Sequence, residues 1–166
     1  MGQGSEIRKV ALGTLSGFIA FGFGSGLARA APGTVGTLAA IPLAIPLLLL
    51  PQPVFWLVWL VSFILGVYVC GESCRMLDVH DHGGVVWDEM VAWWFIVAFI
   101  PANAYWWIAG FLLFRLFDII KPWPIKQVDQ KVHGGFGIMV DDILAAAYTL
   151  AVLLPIHYAW GGALPG

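Results

Sequence analysis

Residues 30–71 form an unbroken run of 42 without a charged side chain, and the stretches 10–28, 90–114 and 143–166 add 19, 25 and 24 more. Roughly 20 apolar residues suffice to cross the hydrocarbon core of a bilayer. Charged residues make up only 11% of the chain and hydrophobic ones 60%, against roughly 25% charged in a soluble domain. With a mean hydropathy of +0.87, the chain reads as an integral membrane protein. Its 166 residues are one domain's worth, taken as a single membrane domain over 1–166. The expected class is an all-α, polytopic helical bundle.

Two breaks decide the topology. Pro51-Gln52-Pro53 divides the longest stretch into 38–50 and 54–71, and Pro101-Ala102-Asn103 divides another into 90–100 and 104–114. Proline and asparagine in such places mark turns between helices. If 90–114 crossed once, the charged segments 72–89 and 115–142 would lie on opposite faces. As helical hairpins, both segments and the loop around Pro32 come to one face, which forms a polar catalytic face at the membrane surface. The limbs are short for complete crossings, so the helices are expected to run past their charge-free cores or to penetrate only partly. The last stretch, about 143–160, is long enough to cross alone. Arg29, Arg75, Arg115, Lys121, Lys126 and Lys131 all fall on the polar side. Basic loops prefer the cytoplasm, so that face is expected to be cytoplasmic, with Gln52 and Asn103 outside.

The N-terminal region imitates a signal peptide, with Arg8-Lys9, an apolar run and Ala28-Arg29-Ala30. Its glycines make a poor hydrophobic core for one, and no cleavage is expected. Trp56, Trp59, Trp93, Trp94, Trp106 and Trp107 lie near the presumed span ends and are expected to anchor at the interface. Cys70 and Cys74, four residues apart, are too few for a zinc site and are expected to be reduced and buried. No basic, aromatic-interleaved patch points to nucleic acid, and nothing implies a protein partner.

Nine of the ten acidic residues fall between Glu72 and Asp142, in compact groups at the ends of apolar spans. Carboxylates are costly near lipid and usually mark a functional site. Clustered carboxylates with few thiols suit a hard, oxygen-seeking cation such as Mg2+.

Four motifs carry this chemistry. Gly24-Ser25-Gly26-Leu27 through Ala31-Pro32-Gly33-Thr34-Val35-Gly36-Thr37 combines glycines with two hydroxyls. A helix starting near residue 37 would offer its N-terminal end to phosphate, or Thr37 would simply cap it. In Asp81-His82-Gly83-Gly84-Val85-Val86-Trp87-Asp88-Glu89, the last two acids open an apolar helix. They suit its dipole, but adjacent carboxylates at a membrane boundary repel unless a cation lies between them. Arg115, Asp118 and Lys121 recur every third residue before Pro122. They form either an ion-pair row or a carboxylate ligand flanked by two phosphate-binding cations. His133-Gly134-Gly135-Phe136-Gly137 leads to Asp141 and Asp142 at the expected start of the last helix.

Asp88, Glu89, Asp118, Asp141 and Asp142 are therefore the candidate metal ligands, with Asp81 a further candidate as ligand or base. Thr34, Thr37, Arg115 and Lys121 are the candidate phosphate contacts. The expected reaction is in-line attack by an activated water on a phosphoryl group, with Asp81, Asp88, Asp118 and Asp142 the acids closest to the chemistry. His82 and His133 are alternatives for protonating the leaving group. A small cation transporter using the same acids is the competing class, and it would place them at mid-span.

The runs GSGLARAAPGTVGTLAAIP, DHGGVVWDE, FRLFDIIKPWPI and HGGFGIMVDD, in this order, resemble the phosphatidylglycerophosphatase A family of bacterial membranes over roughly residues 20–150. The resemblance implies Mg2+-dependent hydrolysis of the phosphomonoester of phosphatidylglycerophosphate, giving phosphatidylglycerol and phosphate. It also implies a multi-pass protein among the lipids of the bacterial inner membrane, with its active site facing the cytoplasm.

Overall fold

A computed structural model describes residues 3–160, and among these there are helices and no β-strands. The order is α1 (Gln3–Gly13), α2 (Leu15–Ala20), a 3₁₀ segment (Gly22–Leu27), α3 (Pro32–Leu48), α4 (Gln52–Met76), α5 (Trp87–Val97), α6 (Ala104–Ile120), α7 (Ile125–Lys131) and α8 (Gly134–Ala159). The helical membrane class read from the sequence holds. α4 and α8 are long and apolar enough to cross a membrane, and α3 is a shorter apolar helix.

Local chemistry sets the boundaries. Thr14 caps α2 by accepting the Gly17 N–H at 3.0 Å. Asn103 caps α6 by accepting the Trp106 N–H at 3.1 Å. Pro32 opens α3, where its missing N–H costs nothing. α6 ends with Lys121 in the left-handed region, φ 45°, and Pro122 forbids continuation.

The two breaks read from the sequence are real turns and lie side by side. One cavity at that end is lined by Leu50 and Gln52 from the first turn and by Ala98, Ile100 and Ala102 from the second. α3–α4 and α5–α6 are thus two hairpins turning at the same end. Their other ends, with the loop before α3, the α4–α5 loop and the start of α8, gather opposite.

α5 and α8 form the centre. α5 packs against α3, α4, α6 and α8, while α8 packs against α4, α5, α6 and α7. Every residue of α5 except Phe95 is buried. α4 and α8 approach until backbone meets backbone: a Cβ on Gly135 would overlap the Val67 carbonyl oxygen and lie 2.8 Å from the Gly71 nitrogen. The outward faces of α4 (Leu57, Leu60, Val61, Ile64) and α6 (Ile108, Leu112, Leu116, Ile119) are exposed apolar stripes, as a lipid-facing surface requires.

The tryptophans correct an expectation. Trp93 is 0% exposed and Trp94 5%, because both lie on α5, where all but Phe95 are buried. The indole N–H of Trp94 donates to the Ala40 carbonyl at 3.1 Å, and that of Trp59 to Val91 at 3.0 Å. These rings tie helices together inside the bundle. Cys70 and Cys74 are free and buried, as expected.

Candidate active site

The α4–α5 loop delivers Asp88 and Glu89 to the first turn of α5, both buried. Glu89 is the hub on that side. Arg115 Nη1 of α6 lies 2.8 Å from Glu89 Oε2 and 2.7 Å from Asp118 Oδ2. These contacts are close but off the angle of an aligned hydrogen bond, and Arg115 Nε has no acceptor. The Thr37 hydroxyl donates to Glu89 Oε2 at 2.9 Å, with the Gly33 carbonyl its alternative acceptor at 3.0 Å. Glycine at position 33 lets this pair sit against α3: a Cβ there would overlap Glu89 Oε1 and sit 2.8 Å from Arg115 Nη2, so both side chains would have to move.

Lys121 organises the other side. Leaving α6 in its left-handed conformation, its ammonium donates to Asp129 Oδ1 of α7 at 2.6 Å and to Asp141 Oδ2 of α8 at 2.5 Å. Burial opposes its charge, yet the two carboxylate hydrogen bonds prevail and raise its pKa. Asp141 Oδ1 accepts the N–H of Asp142 at 3.1 Å. Asp142 lies within electrostatic reach of Asp118, Asp88, Asp141 and Glu89, which joins the two sides into one acidic cluster.

Two buried carboxylate oxygens, Asp88 Oδ1 and Asp142 Oδ2, have no hydrogen-bond partner among the described residues. Buried polar atoms are almost always satisfied, so each is suited to a cation. Among the described residues no three acidic, histidine or cysteine side chains form a ready-made metal cage. Arg115 and Lys121 instead occupy the remaining carboxylates. The donor set nevertheless fits a hard cation: all oxygen, with two orphaned atoms from α5 and α8.

Asp81 stands at the rim. Its outer side is exposed, while loss of water from the inward side of the carboxyl raises its pKa, an effect Lys121 partly offsets. The histidines differ sharply in setting. His82 Nδ1 accepts the Gly84 N–H at 3.0 Å and the ring packs against Phe21, so it shapes the loop. His133 Nδ1 lies 2.6 Å from His80 Nε2, joining the loop after α4 to the cap of α8.

Three local expectations need correction. α3 begins at Pro32, not near residue 37, because proline at the first position nucleates the helix earlier. Thr34 is therefore in the first turn, and Thr37 lies a turn deeper, facing Glu89. α8 begins at Gly134, so Asp141 and Asp142 lie two turns inside it. Arg115 and Asp118 do pair, but Lys121 leaves their helical face for Asp129 and Asp141. Asp129 was not singled out in the sequence, where its short polar helix looks like an ordinary solvated one. The Glu89–Arg115 pair had no signal at all, as it spans 26 residues and two helices.

Fold and site define a helical membrane protein with a buried acid–base cluster at one end of its bundle. The family model for phosphatidylglycerophosphatase A matches residues 18–157. Relatives named phosphatidylglycerophosphatase A occur in Haemophilus influenzae and Escherichia coli. The first is 44% identical, covering 95% of this chain and 98% of the relative. The second is also 44% identical, covering 86% and 83%. A Bacteroides thetaiotaomicron relative named putative phosphatidylinositol-3-phosphatase is 38% identical, over 86% of this chain and 94% of its own. No solved structure matches. The chain belongs to the phosphatidylglycerophosphatase A family.

Proposed function

We propose that this protein hydrolyses the phosphomonoester of phosphatidylglycerophosphate to phosphatidylglycerol and phosphate, with Mg2+, as a multi-pass protein of the bacterial inner membrane whose site faces the cytoplasm. The supporting observation is the gathering of Asp88, Glu89, Asp118, Asp141 and Asp142 with Arg115 and Lys121 at one end of the bundle. A cation pathway would place such acids at mid-span; these lie at helix ends and within two turns of them, beside two cations suited to phosphate.

Asp88 and Asp142 would hold the metal through their unpartnered oxygens, with Glu89, Asp118 and Asp141 as further ligands. Bound there, Mg2+ would supply neutralisation of phosphoryl charge and a more acidic water. Arg115 and Lys121 hold phosphate oxygens when they exchange a carboxylate for the substrate. Thr37 keeps Glu89 oriented, and Thr34 offers a hydroxyl near the loop. Asp81, at the rim with its raised pKa, accepts the proton of the attacking water.

Phosphate release from phosphatidylglycerophosphate in detergent micelles, with and without Mg2+, tests this reading. Asp88→Asn should lower turnover at least ~10²-fold, the scale of one lost catalytic contact, while the protein still inserts. Near-wild-type turnover would remove Asp88 from the site.

A further inference from the structure

Beside the acidic cluster lies a second, cationic cleft of about 490 Å³. Arg8 enters it from the face of α1 that also carries Gly4 and Ile7, spaced three and four residues apart. Arg29 lines it from the loop before α3, which ends at Ala31 in the left-handed region at φ 46°. His82 and Gly84 of the α4–α5 loop form the opposite wall. Neither arginine forms an ion pair among the described residues, whereas Arg75 and Arg115 both do. Two solvent-exposed arginines from separate elements line the cleft, and no carboxylate does.

The cleft adjoins the site directly. Pro32 lines it, and the next residue, Gly33, packs on the Glu89 carboxylate and Arg115. We propose that this cleft binds a phosphodiester, the anionic headgroup linkage of a phospholipid, through Arg8 and Arg29. Resting on the activity proposed above, the inference gives that site its specificity: the substrate's monoester and diester sit at opposite ends of one three-carbon glycerol. A monoester held at Arg115 and Lys121 leaves the diester to be held nearby. Guanidinium forks suit phosphate oxygens better than an ammonium does. The diester can come from the substrate itself or from a neighbouring anionic lipid.

Full-length protein in neutral detergent micelles is titrated with short-chain phosphatidylglycerol, which carries the diester and no monoester. The Arg8→Gln/Arg29→Gln variant should bind it at least about tenfold more weakly than wild type, as expected for lost charge-assisted contacts. Arg8→Lys/Arg29→Lys should recover part of that loss and shows that the fold tolerates both positions. A matching rise in KM for phosphatidylglycerophosphate in neutral micelles assigns the cleft to the substrate's own diester. A rise seen only when the micelles contain phosphatidylglycerol assigns it to a neighbouring lipid. Equal binding by wild type and the glutamine variant overturns the inference. Wild type that binds phosphatidylglycerol but releases no phosphate refutes the proposed activity and leaves the cleft standing.

Discussion

Replacing Arg115 with methionine removes the only cation among the described residues that touches Glu89, while keeping much of the side chain's volume. Arg115 is 14% exposed at its side chain, and its partners Glu89 and Asp118 are 11% and 14%, so solvent screens these pairs weakly. Breaking a buried pair from one side costs about 3–5 kcal/mol, because the partner charge stays buried without compensation. Here two carboxylates are stranded, but a single buried cation is also spared its own desolvation, which places Arg115→Met near ~3 kcal/mol. Equilibrium unfolding in mixed micelles measures it. The double variant Arg115→Met/Glu89→Gln should regain at least ~1 kcal/mol of that loss, a coupling within the range of contacting pairs. Added Mg2+ should stabilise Arg115→Met more than wild type, since the freed acids become ligands. A loss within ~1 kcal/mol of wild type, with no coupling in the cycle, would match a surface ion pair and refute Glu89 as a buried hub.

Further outcomes follow from other contacts. Gly135→Ala drives a Cβ into the Val67 carbonyl; neither backbone can yield cheaply, so stability should fall by about 3 kcal/mol, read in the same unfolding assay. Lys121→Ala should raise the lipid concentration for half-maximal rate more than the Mg2+ requirement, and Asp118→Ala should do the reverse or abolish activity, as crossed titrations of lipid and Mg2+ would show. Single cysteines at positions 52, 103 and 121, in intact cells with an impermeant reagent, should label at 52 and 103 but not at 121. Cys70 and Cys74 are buried and need no replacement. Labelling only at 121 would invert the topology.

The fold was legible wherever a boundary was written in one residue. Pro51, Pro101 and Pro122 mark the turns, and the parity of charged and uncharged segments required hairpins. It was misread where helix-breaking residues sit inside helices. Gly134, Gly135 and Gly137 read as a loop, yet they open α8: Gly134 takes a left-handed φ of 75°, Gly135 meets the α4 backbone at Val67 and Gly71, and Gly137 faces the Val132 carbonyl. Trp93 and Trp94 read as interfacial, since a single sequence does not reveal that α5 is enclosed by α3, α4, α6 and α8. The candidate acids were found because charge is rare in this chain. Of their partners, Arg115–Asp118 was one of two readings of that row; the Glu89–Arg115, Lys121–Asp129 and Lys121–Asp141 pairs were not found, because they are set by how α5, α6, α7 and α8 pack.

The charge balance of the assembled site carries the argument one step further. Among the described residues, Asp81, Asp88, Glu89, Asp118, Asp129, Asp141 and Asp142 face only Arg115 and Lys121 as cations in contact with the cluster. Four of the seven, Asp88, Glu89, Asp141 and Asp142, are buried, and an uncompensated charge there is expensive. Protons or further cations must make up the difference. An anionic phosphomonoester would meet net repulsion in such a cluster unless more positive charge arrived first. On the proposed reading, cation binding therefore precedes or accompanies substrate, because it relieves the excess and releases Arg115 and Lys121 from the carboxylates they now hold. On that reading the two bases would serve in turn as internal counterions and as phosphate contacts.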